Sequence, residues 1–91
     1  MLPDPARYDR FHQVVAGHVR DARLWRNLSQ EDLAHAAGVS PRTVVALESG
    51  RSGILLDKLL AIADAMQMPL TDLVREPATE AEQPRDDAQQ A

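Results

Sequence analysis

Residues 28–51 read LSQEDLAHAAGVSPRTVVALESGR, and the fold depends on how this stretch divides. Ser29 followed three residues later by Asp32 marks a helix start. The hydroxyl can accept from the backbone amide at the third helical position, and the side chain there can return a bond to the cap. Leu28 and Leu33 stand at the two positions that staple such a start. The helix should run through LAHAA and stop at Gly38, which supplies the backbone freedom for a tight turn. A second start follows at once. Ser40 caps, Pro41 takes the first helical position where no amide bond is lost, Val39 can staple against Val44, and Gly50 ends the helix.

Only Gly38, Val39 and Ser40 join these two short helices, so they must cross steeply. Ala34 sits mid-helix where its neighbour approaches, and a larger side chain would push that neighbour away. Val39, Val44 and Leu47 then point back at Leu33 and Ala37. This is helix-turn-helix geometry, whose second helix can lie in a DNA major groove. At about 100° per residue, Val44, Leu47 and Glu48 share one side of the second helix. Arg42, Val45, Ala46 and Ser49 share the other. Arginine can bond guanine O6 and N7 together, and small apolar side chains can contact the thymine methyl, so this outer face suits a groove better than water.

Working outward, Asp4-Pro5 reads as a capped helix start with proline at the first position. Phe11, Val14, Val15, Val19, Ala22 and Trp25 follow at three/four spacing and predict one buried stripe. Asn27 is expected to end this helix in left-handed backbone. After the loop RSGIL, a fourth helix is expected near 56–66 with Leu56, Leu59, Leu60, Ala63 and Met66 on one face. Pro69 punctuates, and LTDLVR forms one more short helix. From Glu76 the chain has no aliphatic residue larger than alanine and is expected to be a disordered tail. Five helices and no strand pattern give an all-α fold.

The 91 residues are 44% hydrophobic with only three aromatics, which suits a small aliphatic core. The net charge of −4 lies wholly in the tail. Residues 1–75 hold nine Lys/Arg against nine Asp/Glu, whereas 76–91 hold one Arg against five acids. A neutral folded part can still gather its bases on one face for phosphate. The longest aliphatic run, LLAIA at 59–63, is too short to span a membrane, and no signal core opens the chain, so a cytoplasmic location is expected. There is no cysteine. His12 and His18 do not share helical spacing, and His35 stands apart, so no metal and no cofactor is expected. Scattered carboxylates and a Ser40 explained as a cap leave no catalytic constellation, and the chain is expected not to be an enzyme.

The set Leu28-Ser29-Gln30, Leu33-Ala34, Gly38 and Glu48-Ser49-Gly50, together with LLAIADAM further on, resembles the phage repressor/Cro (XRE) family of helix-turn-helix domains. The likeness covers roughly residues 12–75 and implies a five-helix lambda-repressor-like fold. It implies that Gln30 bonds a DNA phosphate, with its amide held by the helix N-terminus. It places Pro41, Arg42, Thr43, Val45 and Ala46 toward bases or the adjacent backbone. Ser49 and Arg51 match positions near phosphate, and Ser40 is grouped with the backbone contacts. Arg23 and Glu48 match a buried ion pair that ties the first helix to the recognition helix. Two departures stand out. Ile54 and Leu55 occupy slots where the family often has Pro-Ser before the fourth helix, and Gln67 replaces the glycine that commonly ends it.

The expected organisation is therefore an N-terminal extension of helix one over 1–11, a domain over 12–75 with its helix-turn-helix unit at 29–49, and the acidic tail 76–91. The expected function is a sequence-specific transcriptional regulator, a repressor, that binds a palindromic double-stranded DNA operator as a homodimer. The alternative is a protein-interaction module, such as a toxin-neutralising antitoxin or an adaptor, whose acidic tail folds on a basic protein partner.

Overall fold

Local capping bonds cut the chain into five helices. In a computed structural model, which describes residues 4–77, these are α1 Pro5–Trp25, α2 Gln30–Ala37, α3 Pro41–Ser49, α4 Leu56–Ala65 and α5 Leu70–Val74. No strand occurs among the described residues. The Asp4 side chain accepts from the Ala6 amide at 3.0 Å, with Pro5 at the first position. Ser29 and Asp32 exchange bonds of 2.9 and 3.1 Å, a reciprocal capping box. Those bonds from Ser29, the backbone one foremost, hold the Asp32 carboxyl below its usual range. Ser40 Oγ accepts from the Thr43 amide at 3.2 Å. At the other ends, Asn27, Gly38, Gly50 and Gln67 all take left-handed backbone, with φ of 57°, 73°, 71° and 58°. Gln67 thus makes the turn that a glycine would make without strain.

The apolar faces close on one another around Val19, Leu33, Val44, Ile62, Met66 and Leu73, all fully buried. Each such aliphatic side chain contributes about 1.5–3 kcal/mol on leaving water. α1 packs on α3 and α5, and α2 packs on α3 and α4. Ala34, with no exposed surface, lets the turn residues lie over α2, where Val39 donates to the Ala34 carbonyl at 3.0 Å. The connection between the helix-turn-helix pair is therefore short and tightly bonded.

Three apolar residues do not go where spacing sends them. Trp25 is 84% exposed rather than part of the buried stripe. It is the last residue of α1, and the chain turns away just beyond it. Its neighbour Arg26 reaches inward instead, donating to the Met66 carbonyl at 2.7 Å and the Ala22 carbonyl at 3.1 Å. Leu56 and Leu60 are also exposed, because the buried stripe of α4 is Leu59, Ile62, Ala63 and Met66. Leu55, in the cap position of α4, offers no side-chain bond to the helix start.

The end of the described chain is tied back to α1. His18 Nε2 donates to the Arg75 carbonyl at 2.8 Å, and Arg7 clasps Glu76 through bonds of 2.8 and 3.1 Å. The Arg7 guanidinium holds the Glu76 carboxyl below its ordinary range. Glu76, the first residue of the expected disordered tail, is thus bonded to α1. From residue 78 the tail, and with it the expected basic partner surface, lies outside the described residues.

Candidate nucleic-acid interface

α3 divides cleanly into two faces. Val44, Leu47 and Glu48 are buried, while Pro41, Arg42, Val45, Ala46 and Ser49 are exposed and Thr43 is half-buried. Val45, 50% exposed, is an apolar side chain facing outward from a short helix. Hydroxyls at both ends are already engaged with the protein. Ser40 Oγ lies 3.0 Å from Thr43 Oγ1 as well as capping the helix. Ser49 Oγ donates to the Ala46 carbonyl at 2.6 Å and accepts from the Arg51 amide at 3.2 Å.

The inner face of α3 is fixed by charge. Arg23 on α1 and Glu48 on α3 are 9% and 7% exposed. The guanidinium donates to both carboxylate oxygens, Nε to Oε2 at 2.7 Å and Nη2 to Oε1 at 2.9 Å. Its Nη1 donates to the Leu28 carbonyl at 2.8 Å, just before α2. One side chain therefore fastens α1, the start of α2 and α3 together. The bond to Glu48 raises the affinity of Arg23 for its proton, against the opposing effect of burial.

Gln30 joins the same cluster. Its Nε2 donates to Glu48 Oε1 at 3.1 Å, so a carboxylate from α3 orients the amide, rather than the N-terminus of its own helix. Gln30 and Arg42 thus come from different helices but share a scaffold centred on Glu48.

Two residues beside this surface were not singled out by sequence spacing. Gln13 on α1 donates to the Gly50 carbonyl at 3.1 Å, at the C-terminal cap of α3. Lys58 lines a shallow groove beside α3 together with Thr43, Ala46 and Leu55. Nothing local in the sequence marks Gln13, since its partner lies 37 residues away. An apolar cavity of about 220 Å³ lies beneath the α3–α4 loop, walled by Phe11, Val15, Leu47, Ile54 and Leu59 among others. Among the described residues, no group of three or more His, Cys, Asp or Glu side chains is placed to hold a metal ion. No helix there is long and apolar enough to cross a membrane.

Comparison with known proteins places this geometry. A sequence model described as Helix-turn-helix matches residues 19–73. The chain is similar to the cryptic phage CTXphi transcriptional repressor RstR of Vibrio cholerae, with 31% identity over 66 residues. That match covers 72% of this chain and 60% of the relative, so the chain spans about 60% of the length of that protein. A crystal structure of the hypothetical transcription factor NHTF from Neisseria superposes with a TM-score of 0.71 at 30% identity, covering 85% of each chain. A helix-turn-helix transcriptional regulator from Vibrio cholerae shares the fold at a TM-score of 0.69 and 24% identity, over 72% of this chain and 37% of that one. The family match takes in more than half of the chain and includes both helices of the fastened pair. The protein belongs to the helix-turn-helix family, carrying a DNA-binding domain of the phage repressor/Cro (XRE) type.

Proposed function

We propose that the protein is a sequence-specific transcriptional repressor that inserts α3 into the major groove of a palindromic operator as a homodimer. The observation that carries this reading is the outer face of α3. Arg42, Val45 and Ala46 project from a helix whose opposite face is locked by the buried Arg23–Glu48 pair. Preorganisation of that kind keeps the cost of ordering low when the helix docks.

In this reading Arg42 supplies the main polar base contact, bidentate to guanine, and Val45 and Ala46 meet thymine methyls. Pro41 and Thr43 lie at the entry of the helix against the adjacent backbone. Gln30 has two amide hydrogens. One is given to Glu48, and the other donates to a phosphate while the first keeps the amide fixed. Arg51 contributes charge to the backbone, and Ser40 and Ser49 act there mainly by shaping the two ends of α3. A dimer places two such helices about 34–36 Å apart, one turn of DNA.

Selection of bound sites from random duplexes, followed by fluorescence anisotropy, tests the proposal. Arg42→Ala should lose about 1–3 kcal/mol and relax specificity at one base position. Gln30→Ala should weaken binding evenly across sequences and leave the salt slope nearly unchanged, because a neutral amide releases no counterion. If both variants bind like the parent, α3 is not the reading helix.

A further inference from the structure

We propose that Gln13 is a positioning residue for DNA binding, which from α1 fixes the single peptide unit that aims Arg51. The inference rests on the DNA-binding reading above, and Gln13 lies just before the residues 19–73 that the family model matches. The carbonyl of Gly50 and the amide of Arg51 belong to one planar peptide group. Gln13 Nε2 holds the oxygen end of that plane at 3.1 Å, and Ser49 Oγ holds the nitrogen end at 3.2 Å. With both ends pinned, the plane cannot rotate, and the direction in which Arg51 leaves the loop is set.

The surroundings are shaped for this contact. Gly50 is buried at φ 71°, and a Cβ there would lie 2.8 Å from Cδ, Nε2 and Oε1 of Gln13. The bare glycine is what admits the amide. One residue earlier on α1, the His12 ring packs over Gly53, where a Cβ would sit at van der Waals distance, 3.5 Å from Nε2. Further along the loop, Ile54 is partly buried against the core. Leu55 provides no side-chain cap for α4, and the apolar cavity lies under Ser52, Gly53 and Ile54. Gln13 therefore anchors the loop at its α3 end, while its α4 end has no side-chain cap.

A double-mutant cycle on the full chain tests this, using the parent, Gln13→Ala, Arg51→Ala and the double variant. Affinity is measured on DNA selected by the parent, with salt slopes, and folding is followed by circular dichroism. Gln13→Ala should weaken binding about three- to tenfold, the equivalent of one ordinary hydrogen bond. It should do so only while Arg51 is present. Gln13→Met, which keeps the length of the side chain and adds no charge but offers no donor to the carbonyl, should behave the same way. Parental affinity in Gln13→Ala or in Arg51→Ala overturns the proposal, as does an equal Gln13→Ala loss in both backgrounds. Failure of the parent to select any DNA overturns the underlying function as well, which distinguishes the two.

Discussion

Glu48→Gln separates the charge of the buried pair from its shape. The amide has one oxygen where the carboxylate has two, so it can keep only one of the bonds of 2.7 and 2.9 Å from Arg23. Its new NH2 must face a donor, Arg23 Nε in one orientation or Arg23 Nη2 together with Gln30 Nε2 in the other. Breaking a buried ion pair by removing one partner costs about 3–5 kcal/mol, and one charge-assisted bond about 1.5–3 kcal/mol. With one bond surviving, we expect a loss of about 2–3 kcal/mol. For a domain of this size, each kcal/mol moves Tm by about 4–8 °C, which gives a fall of roughly 10–20 °C. Far-UV circular dichroism melts measure it, and urea titration should show a lower midpoint with an unchanged slope. A loss under about 0.5 kcal/mol would refute the reasoning, because it would mean that water already screens the pair. The companion variant, Arg23→Met with Glu48→Leu, should return stability to near the parent, since apolar replacement of a whole buried pair is often neutral or better. DNA affinity should not return with it, because Gln30 has lost its acceptor. Recovery of both would show that the Gln30 anchor plays no part in binding.

Two further outcomes are expected. The folded-state pKa of Asp32 is depressed, so its contribution is full above the unfolded value near 3.8 and is lost as pH falls through the folded one. The stability gap between the parent and Asp32→Ala, followed by urea titration, should therefore hold at neutral pH and close in acid. A gap that widens on acidification would contradict the capping box. Substituting alanine at two glycines should have opposite signs in thermal melts. Gly17→Ala, inside α1 with nothing within 4 Å, should gain about 0.5–1 kcal/mol. Gly50→Ala should lose about 1–2 kcal/mol to left-handed strain, while the Gln13 amide swings aside and gives up its bond to the Gly50 carbonyl. Matching signs at the two sites would refute this picture.

What could be read from the sequence was local. Ser29 with Asp32, Ser40 with Pro41, and the left-handed Asn27, Gly38 and Gly50 all act within a few residues, so their spacing reveals them. Periodicity failed at a helix end and at the edge of a buried stripe. Trp25 has the right spacing for the α1 stripe, but no partner helix extends to cover it. Leu56 and Leu60 lie near the edge of a stripe that Ile62 completes instead. In the candidate site, residue resemblance paired Arg23 with Glu48 across 25 positions. The two glutamine anchors were not legible, since Gln30→Glu48 and Gln13→Gly50 exist only once α1, α2 and α3 have packed.

The exposure of Trp25 has a spectroscopic consequence. It is the chain's one tryptophan, and its indole is already in water in the native state. Its emission should be red and nearly indifferent to denaturant, so an unfolding curve followed by tryptophan fluorescence would look flat for a well-folded protein. The same indole is a quiet background for association. A blue shift that appears on concentrating the protein, or on adding operator DNA, would report that something has come to cover the end of α1.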